Sequence, residues 1–145
     1  MSFVPEPGQV IRYDFLWHEE GQQGFIHGRK DRPSAIIIVT EPDETGESQV
    51  YLCPITHTPV SGYETGIEIP PKLARHLGLD EQASWVKTHE VNIVSWPKDL
   101  VPYGVSQAKP GQWIYGMMPK KFTEQIFNQV KENFTNKQLL ALKRE

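Results

Sequence analysis

Short apolar runs separated by turn-forming residues dominate the first two thirds of the chain. The run Ile36–Val39 lies inside "SAIIIVT" and is continuous rather than alternating, which is typical of a buried strand. The turn-forming stretch "EPDETGES" follows it. The next stretch, "QVYLCPITH" over residues 49–57, then predicts a second strand close enough to pair with the first as a hairpin. By the same criteria, further strands are predicted over residues 9–17, 67–69, 84–96 and 111–115.

An amphipathic helix is predicted near the end of the chain. Pro119 precedes "KKFTEQIFNQVKENF", in which apolar residues recur every four positions: Phe122, Ile126, Val130 and Phe134. That spacing gives a helix one apolar face, which would pack on a sheet. Thr135 and Gln138 form a capping-box pattern, which predicts a last short helix over "LLALK".

Two stretches between the strands have other patterns. "KLARHLGL", residues 72–79, predicts one or two helical turns that end at Gly78. "HEEGQQGFIHGRKD", residues 18–31, contains three glycines and many charges, and it predicts a long loop. Loops of this length in compact domains are often functional, so its charged residues are candidates for contact with a ligand.

Composition narrows the class of protein. With 145 residues, of which 38 % are hydrophobic and 23 % charged, the chain fits one ordinary soluble domain. Twelve prolines and eleven glycines favour short elements joined by turns over a helical bundle. Many short strands followed by a helix predict an α+β fold whose β part is barrel-like or sandwich-like.

Charge and cysteine content exclude several kinds of site. The net charge of −3 means that any basic surface must be local. A single cysteine, Cys53, excludes an intrachain disulfide and suits a reducing compartment. The five histidines form no His-x3-His pair, so we expect no metal and no cofactor. Residues 1–15 lack a leader pattern and no apolar run reaches the roughly 20 residues of a membrane span, so we expect a cytoplasmic protein without a membrane partner.

Arg32 is the first candidate for chemistry. Pro33 follows it and restricts Arg32 to an extended conformation at the entrance of the isoleucine-rich strand. A guanidinium held there is a candidate anion clamp. The alternative is that Arg32 is a solvated charge at the end of a loop.

Four motifs together resemble the MazF/PemK family of toxins from type II toxin–antitoxin systems. They are Gly8 with "QVIRYDF", the Arg-Pro step of "RPSAIIIV", the threonine-ending "CPITH" and the polar start of "HEVNIVSW". The resemblance implies one domain over residues 1–145, built as a small SH3-like β-barrel of about five to seven strands with a C-terminal amphipathic helix. It also implies an insertion near residues 70–84 and a C-terminal helical extension near 119–145.

The same resemblance implies a metal-independent, sequence-specific endoribonuclease that cleaves single-stranded RNA and inhibits growth. Cleavage without a metal uses the 2′-hydroxyl as nucleophile, and therefore needs a base, an acid and fixed positive charge. Residues matching the family pattern give the candidate catalytic groups, with Arg32 stabilising the transition state, Thr56 donating to a phosphate oxygen, Glu90 as base and His57 as acid. Candidate RNA-binding residues are His27, Arg29, Lys30 and His89.

Each of these assignments has a plainer alternative. Thr56 could cap a turn, His57 could be a solvated loop residue and Glu90 could be an exposed strand carboxylate. His89 and Glu90 are consecutive in a predicted strand, so we expect their side chains on opposite faces with only one facing the site. His89 is the substitute if Glu90 is not the base, and His89 or His27 could move the protons instead.

Partners also follow from the resemblance. It implies a cognate antitoxin and a homodimer with RNA lying across the joint surface. "IEIPPKLARHLGL", residues 67–79, resembles half of an AbrB-type DNA-binding domain, and we interpret it as part of the insertion. The alternative function is that of a non-catalytic growth inhibitor like the CcdB toxins, which poison a topoisomerase through their C-terminal residues, or of a degenerate relative that only binds.

Overall fold

Strands make up most of the regular structure. A computed structural model describes residues 3–144, and within them nine strands and three helices follow one another in this order: β1 (Gln9–Tyr13), α1 (His18–Gln22), β2 (Arg32–Val39), β3 (Ser48–Thr56), β4 (Gly66–Glu68), α2 (Pro71–His76), β5 (Trp85–Lys87), β6 (Glu90–Trp96), β7 (Val105–Ser106), β8 (Ile114–Met117), α3 (Lys120–Thr135) and β9 (Leu140–Lys143). The predicted α+β class is confirmed. The predicted number of five to seven strands is wrong.

The sheet is mostly antiparallel and is organised around the β2–β3 hairpin. β1 lies beside β2 and pairs on its other edge with β7 and β8, while β3 pairs on its other edge with β6 and β5. β4 extends β5, and β9 adds to β6 as the one parallel neighbour among the described strands. Within residues 3–144, no pairing joins the β4 or β9 side to the β7 or β8 side, so the sheet is open.

Apolar side chains cover both faces of this sheet, as the continuous isoleucine run predicted. On β2, Ala35 and Ile37 belong to one core cluster and Ile36 belongs to the other, because successive strand residues point to opposite faces. The first cluster includes Ile126 and Val130 of α3, which cover that face. The second cluster is formed by strand residues of the opposite face: Ile11, Tyr13, Val50, Leu52, Val94 and Trp96, with Phe15 just beyond β1.

The predicted amphipathic helix is present, with a narrower apolar face than its spacing suggested. Pro119 precedes α3, and Ile126 and Val130 are buried against the sheet. Phe134 was predicted on this face but is 72 % exposed. It stands in the last turn of α3, immediately before the chain turns towards β9.

The end of the chain corrects the predicted helix over "LLALK" and the predicted helical extension near 119–145. α3 ends at Thr135, and residues 140–143 form the strand β9 parallel to β6. The backbone N–H of Leu140 donates to the carbonyl oxygen of His89 over 2.9 Å. A free strand edge on β6 therefore satisfies these backbone groups, and this long-range pairing overrides the local capping pattern.

Two short helices lie in segments that were predicted as a loop and as an insertion. The loop predicted over residues 18–31 contains the helix α1, which begins at His18. The stretch predicted as an insertion near 70–84 contains α2, whose Ala74 is buried in the first core cluster. None of the helices in the described part of the chain combines the length and apolar content needed to cross a bilayer.

Candidate functional site

The pairing of β2 with β3 brings Arg32 and Thr56 together. Ser34 pairs with Pro54, so continuing the antiparallel register by two residues sets Arg32 opposite Thr56 on one face. Glu90 begins β6 at the same end of the sheet, because β6 pairs with β3 from Leu52 towards Ser48. Three residues far apart in the sequence therefore meet beside a cleft of about 530 Å³, which we call the Glu90 cleft.

Five further titratable residues line the Glu90 cleft. They come from α1, from the loop after β3 and from the end of β5: His18, Glu19, Tyr63, Glu64 and Lys87. None of them was a candidate from the sequence. Their spacing carries no periodic signal, and only the tertiary fold brings them to Glu90.

Arg32 presents a cation that is not committed to a partner. Its guanidinium lies 5.1 Å from the centroid of the Trp17 ring, and its Nε is buried without a hydrogen-bond partner. Among residues 3–144, no carboxylate oxygen lies within 4 Å of its nitrogens. Partial burial lowers the pKa of Arg32, and the charge of Glu20 opposes that effect. An anion entering the cleft would find unused donors held on a rigid strand.

Thr56 lies beside this guanidinium at the end of β3. Its hydroxyl oxygen accepts the backbone N–H of Thr58 over 3.2 Å. The hydroxyl proton therefore remains available for donation, since accepting that bond uses only a lone pair. The alternative in which Thr56 organises the following turn is also realised, and the two roles are compatible.

Glu90 is a carboxyl in a largely dry environment. Its side chain is 11 % exposed, and one oxygen accepts the backbone N–H of His18 over 2.8 Å. Burial raises the pKa of Glu90. The His18 hydrogen bond and the neighbouring charges of His89 and His18 lower it, and Glu64 raises it further. A carboxyl with a raised pKa is a stronger base once ionised, which suits proton transfer near neutral pH.

The structure corrects the prediction that His89 and Glu90 face opposite sides. Nε2 of His89 lies 3.7 Å from one Glu90 oxygen and 3.9 Å from one Glu64 oxygen. His89 stands at the bend before β6, where the alternation of a strand does not apply. Its side chain is 3 % exposed, so a direct contact with RNA would require this bend to open.

His57 lies in a second, adjoining cleft of about 480 Å³, which we call the His57 cleft. The two clefts share Arg32, Thr56 and Thr58. Nε2 of His57 lies 2.9 Å from a carboxylate oxygen of Asp80, and Nδ1 lies 2.9 Å from the carbonyl oxygen of Ala83. Both neighbours are acceptors, so the protonated imidazolium satisfies both contacts. In this arrangement Nε2 is occupied by Asp80.

The candidate RNA-binding residues of the long loop are dispersed. Lys30 lines the His57 cleft. Arg29 is bound to Glu20, with 3.2 Å between Nε and a carboxylate oxygen, and lines neither cleft. His27 is also outside both clefts, where it contacts Asp14 over 3.4 Å.

No group of three or more His, Cys, Asp or Glu side chains within residues 3–144 is arranged to hold a metal ion. Comparisons with protein-family models, with curated proteins and with solved structures find no match to this chain. The site is therefore interpreted from its own chemistry, in which a free guanidinium, a hydroxyl donor and a buried carboxyl share one cleft.

Proposed function

We propose that this protein is a metal-independent endoribonuclease of the MazF/PemK type that cleaves single-stranded RNA. The observation that supports the proposal is that Arg32, Thr56 and Glu90 line one cleft although they come from three different strands. Cleavage by the 2′-hydroxyl needs a base together with donors aimed at the developing phosphorane charge. The Glu90 cleft contains both kinds of group.

In the proposed reaction, Glu90 accepts the proton of the 2′-hydroxyl as that oxygen attacks the adjacent phosphorus. Arg32 and Thr56 donate to the phosphorane oxygens, where negative charge develops. The bond from phosphorus to the 5′-oxygen breaks, and His57 gives the departing oxygen a proton. The products are a 2′,3′-cyclic phosphate and a 5′-hydroxyl, so no metal or redox step is required.

The two clefts suggest how a strand would lie. They meet at Arg32, Thr56 and Thr58, so a phosphate bound there would send one neighbouring nucleotide into each cleft. Their volumes of about 530 and 480 Å³ are in the range of small-molecule sites. Tyr63 lines the Glu90 cleft and is 77 % exposed, which makes it a platform on which a base could stack.

The proposal includes the finer features that the resemblance implies. The register shifts within β1 and β2 are irregularities of the kind at which strands bend, and such bends support the proposed SH3-like arrangement of the strands. A cytoplasmic location, a homodimer and a cognate antitoxin belong to the same proposal. Light scattering at micromolar concentration should give the mass of a dimer, and a monomer would contradict that part.

A topoisomerase poison that acts through its C-terminal residues is the competing function. Residues 140–143 are paired with β6. Arg144 binds the carboxylate of Asp14 over 3.2 Å and the side-chain oxygen of Asn92 over 2.9 Å. Residues 140–144 are engaged within the fold, so binding a topoisomerase through them would require these contacts to open.

Incubation of the purified protein with a long RNA in EDTA tests the proposal. We expect new ends with 2′,3′-cyclic phosphate and 5′-hydroxyl groups. Arg32→Ala should abolish cleavage and growth inhibition, a loss of at least about 10²-fold by comparison with other transition-state donors. Arg32→Lys should keep part of the activity, because it retains the charge without the two-pronged donor.

Arg75→Ala is the matched control, since Arg75 is exposed on α2 and lines neither cleft. It should cleave RNA like the unaltered protein. Circular dichroism and thermal unfolding establish that each variant is folded. Intact RNA after incubation with folded protein, or unchanged cleavage by folded Arg32→Ala, would overturn the proposal.

A further inference from the structure

Four titratable side chains form a chain of contacts at the inner wall of the Glu90 cleft. Lys87 donates to Glu64 over 2.7 Å, and Nε2 of His89 lies between Glu64 and Glu90 at 3.9 and 3.7 Å. Lys87 and His89 are each only 3 % exposed in their side chains. Burying this much charge is costly unless the groups compensate one another, so their arrangement is a constrained one.

The backbone around His89 is fixed from several sides. Its carbonyl oxygen accepts the N–H of Leu140 of β9, and its Nδ1 lies 3.2 Å from the carbonyl oxygen of Thr65. The preceding Thr88 is completely buried and donates to Gln129 of α3 over 2.8 Å. Asn133 of α3 donates to the carbonyl oxygen of Thr88 and to the hydroxyl of Thr65. The imidazole is therefore held in place by α3 and β9 rather than by its neighbours in the cleft alone.

The direction of the ring follows from these contacts. Nδ1 can donate to the Thr65 carbonyl oxygen at 3.2 Å or accept the Thr65 backbone N–H at 3.4 Å, and with either contact Nε2 is turned towards the two carboxylates. When Nε2 is also protonated, the ring carries a positive charge between Glu64 and Glu90. Tyr63 contacts the ring edge-on at 5.8 Å and partly covers it from solvent.

We propose that His89 is a positioning residue that sets the charge state of Glu90, and that Glu64, bound to Lys87, opposes this effect. One consequence of this role rests on the proposed function: His89 and Glu64 would define the pH range over which the protein cleaves RNA. The coupling between the side chains is a property of the folded protein without RNA.

The neighbours of Glu90 predict opposite effects for two substitutions. The groups whose charges act on Glu90 are His18 from α1, Glu64 from the loop after β3 and His89 from the bend before β6. The same cleft is also lined by Glu19 of α1, Arg32 of β2, Lys87 of β5 and the apolar Leu140 of β9. The positive charge of His89 lowers the pKa of Glu90, and the negative charge of Glu64 raises it. Removing His89 should therefore raise the midpoint of Glu90 ionisation, and removing Glu64 should lower it.

A carboxyl titration followed by carbon-13 NMR, without RNA, tests this directly. We expect the Glu90 midpoint to move upward in His89→Gln and downward in Glu64→Gln. The downward shift should be reinforced because Glu64→Gln also leaves the Lys87 charge uncompensated. His76→Gln is the control, since His76 is exposed on α2, and it should leave the Glu90 midpoint unchanged.

The activity readout separates this inference from the proposed function. If the protein cleaves RNA, the acidic limb of the pH–rate profile should move in the same two directions, while a purely structural role would lower the rate without moving the limb. Shifted Glu90 midpoints in a protein that cleaves no RNA would reject the function and keep the coupling. Unchanged midpoints in both folded variants would overturn the inference. Glu64 is partly exposed, so its variant provides the test even if His89→Gln does not fold.

Discussion

The Glu64–Lys87 and His57–Asp80 pairs are nearly equal in length and lie in adjoining clefts, yet their surroundings differ. The nitrogen–oxygen distances are 2.7 and 2.9 Å. The Lys87 side chain is 3 % exposed, whereas those of His57 and Asp80 are 44 and 58 % exposed. Charges that water screens attract each other weakly, and an unpaired charge in a dry site is costly. Distance alone therefore does not tell which pair constrains the molecule.

This difference suggests a division of roles between the clefts. In the Glu90 cleft, buried contacts hold the proposed base and its neighbours in one arrangement, as a catalytic group requires. In the His57 cleft, the exposed pair can open at low cost, which is what the proposed role of His57 as a mobile acid requires.

Replacing the proposed base should have the largest effect. We expect Glu90→Gln to lower the cleavage rate by about 10²- to 10⁴-fold and to remove the acidic limb of the pH–rate profile. Glu68→Gln, at an exposed residue of β4, is the control and should retain full activity. A variant that keeps both its rate and its acidic limb would show that Glu90 is not the base.

The same substitution should not weaken the fold at neutral pH. Because burial raises the pKa of Glu90, the folded state holds this proton more tightly than the unfolded chain does. The stability contributed by protonated Glu90 is present below the unfolded pKa of about 4.3 and is lost as the pH rises through the folded pKa. Thermal unfolding should therefore show Glu90→Gln gaining stability relative to the unaltered protein as the pH rises.

Replacing the proposed acid should give the next largest effect. We expect His57→Gln to remove the basic limb and to cost about 10²-fold, the lower end of the range for one acid or base, because water can reach this cleft and replace part of its role. The pH–rate profile of the folded variant is the measurement. A surviving basic limb would assign the acid to another group, and His76→Gln is the matched control at an exposed histidine outside both clefts.

The parts of the fold with strong local patterns could be predicted from the sequence. The isoleucine run of β2, the turn-forming residues between β2 and β3, and the four-residue repeat of α3 are all signals carried by neighbouring residues. β9 could not be predicted in the same way, because its partner β6 lies far away in the sequence and the local pattern favours a helix. α1 contains Gly21 and depends on a tertiary setting in which Glu90 of β6 accepts the backbone N–H of His18.

The residues of the candidate site could be predicted in part, but their surroundings could not. Arg32, Thr56 and Glu90 were proposed from motifs at strand ends, and the register of the sheet does bring them to one cleft. The environment of Glu90 could not be read from the sequence, because Lys87 and Glu64 meet only through the loop after β3. The wrong orientation assigned to His89 has a related cause, since a bend rather than a strand precedes β6.

Breaking the pair between buried Lys87 and Glu64 should cost measurable stability. We expect Glu64→Gln to lower the free energy of unfolding by about 2 kcal/mol, because it leaves Lys87 buried with a weaker partner. Lys87 keeps its bond to the carbonyl oxygen of Pro59 at 3.1 Å, which limits the loss. Urea unfolding of both proteins measures the difference, and equal midpoints would show that this pair does not constrain the fold.

Breaking the exposed pair should have the smallest effect. We expect Asp80→Asn to change the free energy of unfolding by less than about 1 kcal/mol, as for other exposed ion pairs. The substitution keeps the side-chain oxygen that accepts the N–H of Gln82 at 3.0 Å, so the local turn should persist.

The effect of salt should distinguish the two pairs. Raising the salt concentration should reduce the stability difference caused by Asp80→Asn, because dissolved ions screen the attraction between the exposed His57 and Asp80. The Glu64→Gln difference should depend less on salt, since Lys87 is shielded from solvent. Urea unfolding at low and high salt measures both variants in parallel. If Asp80→Asn destabilised the protein as much as Glu64→Gln, the two clefts would not differ in the way their exposure indicates, and His57 would be held too firmly to serve as a mobile acid.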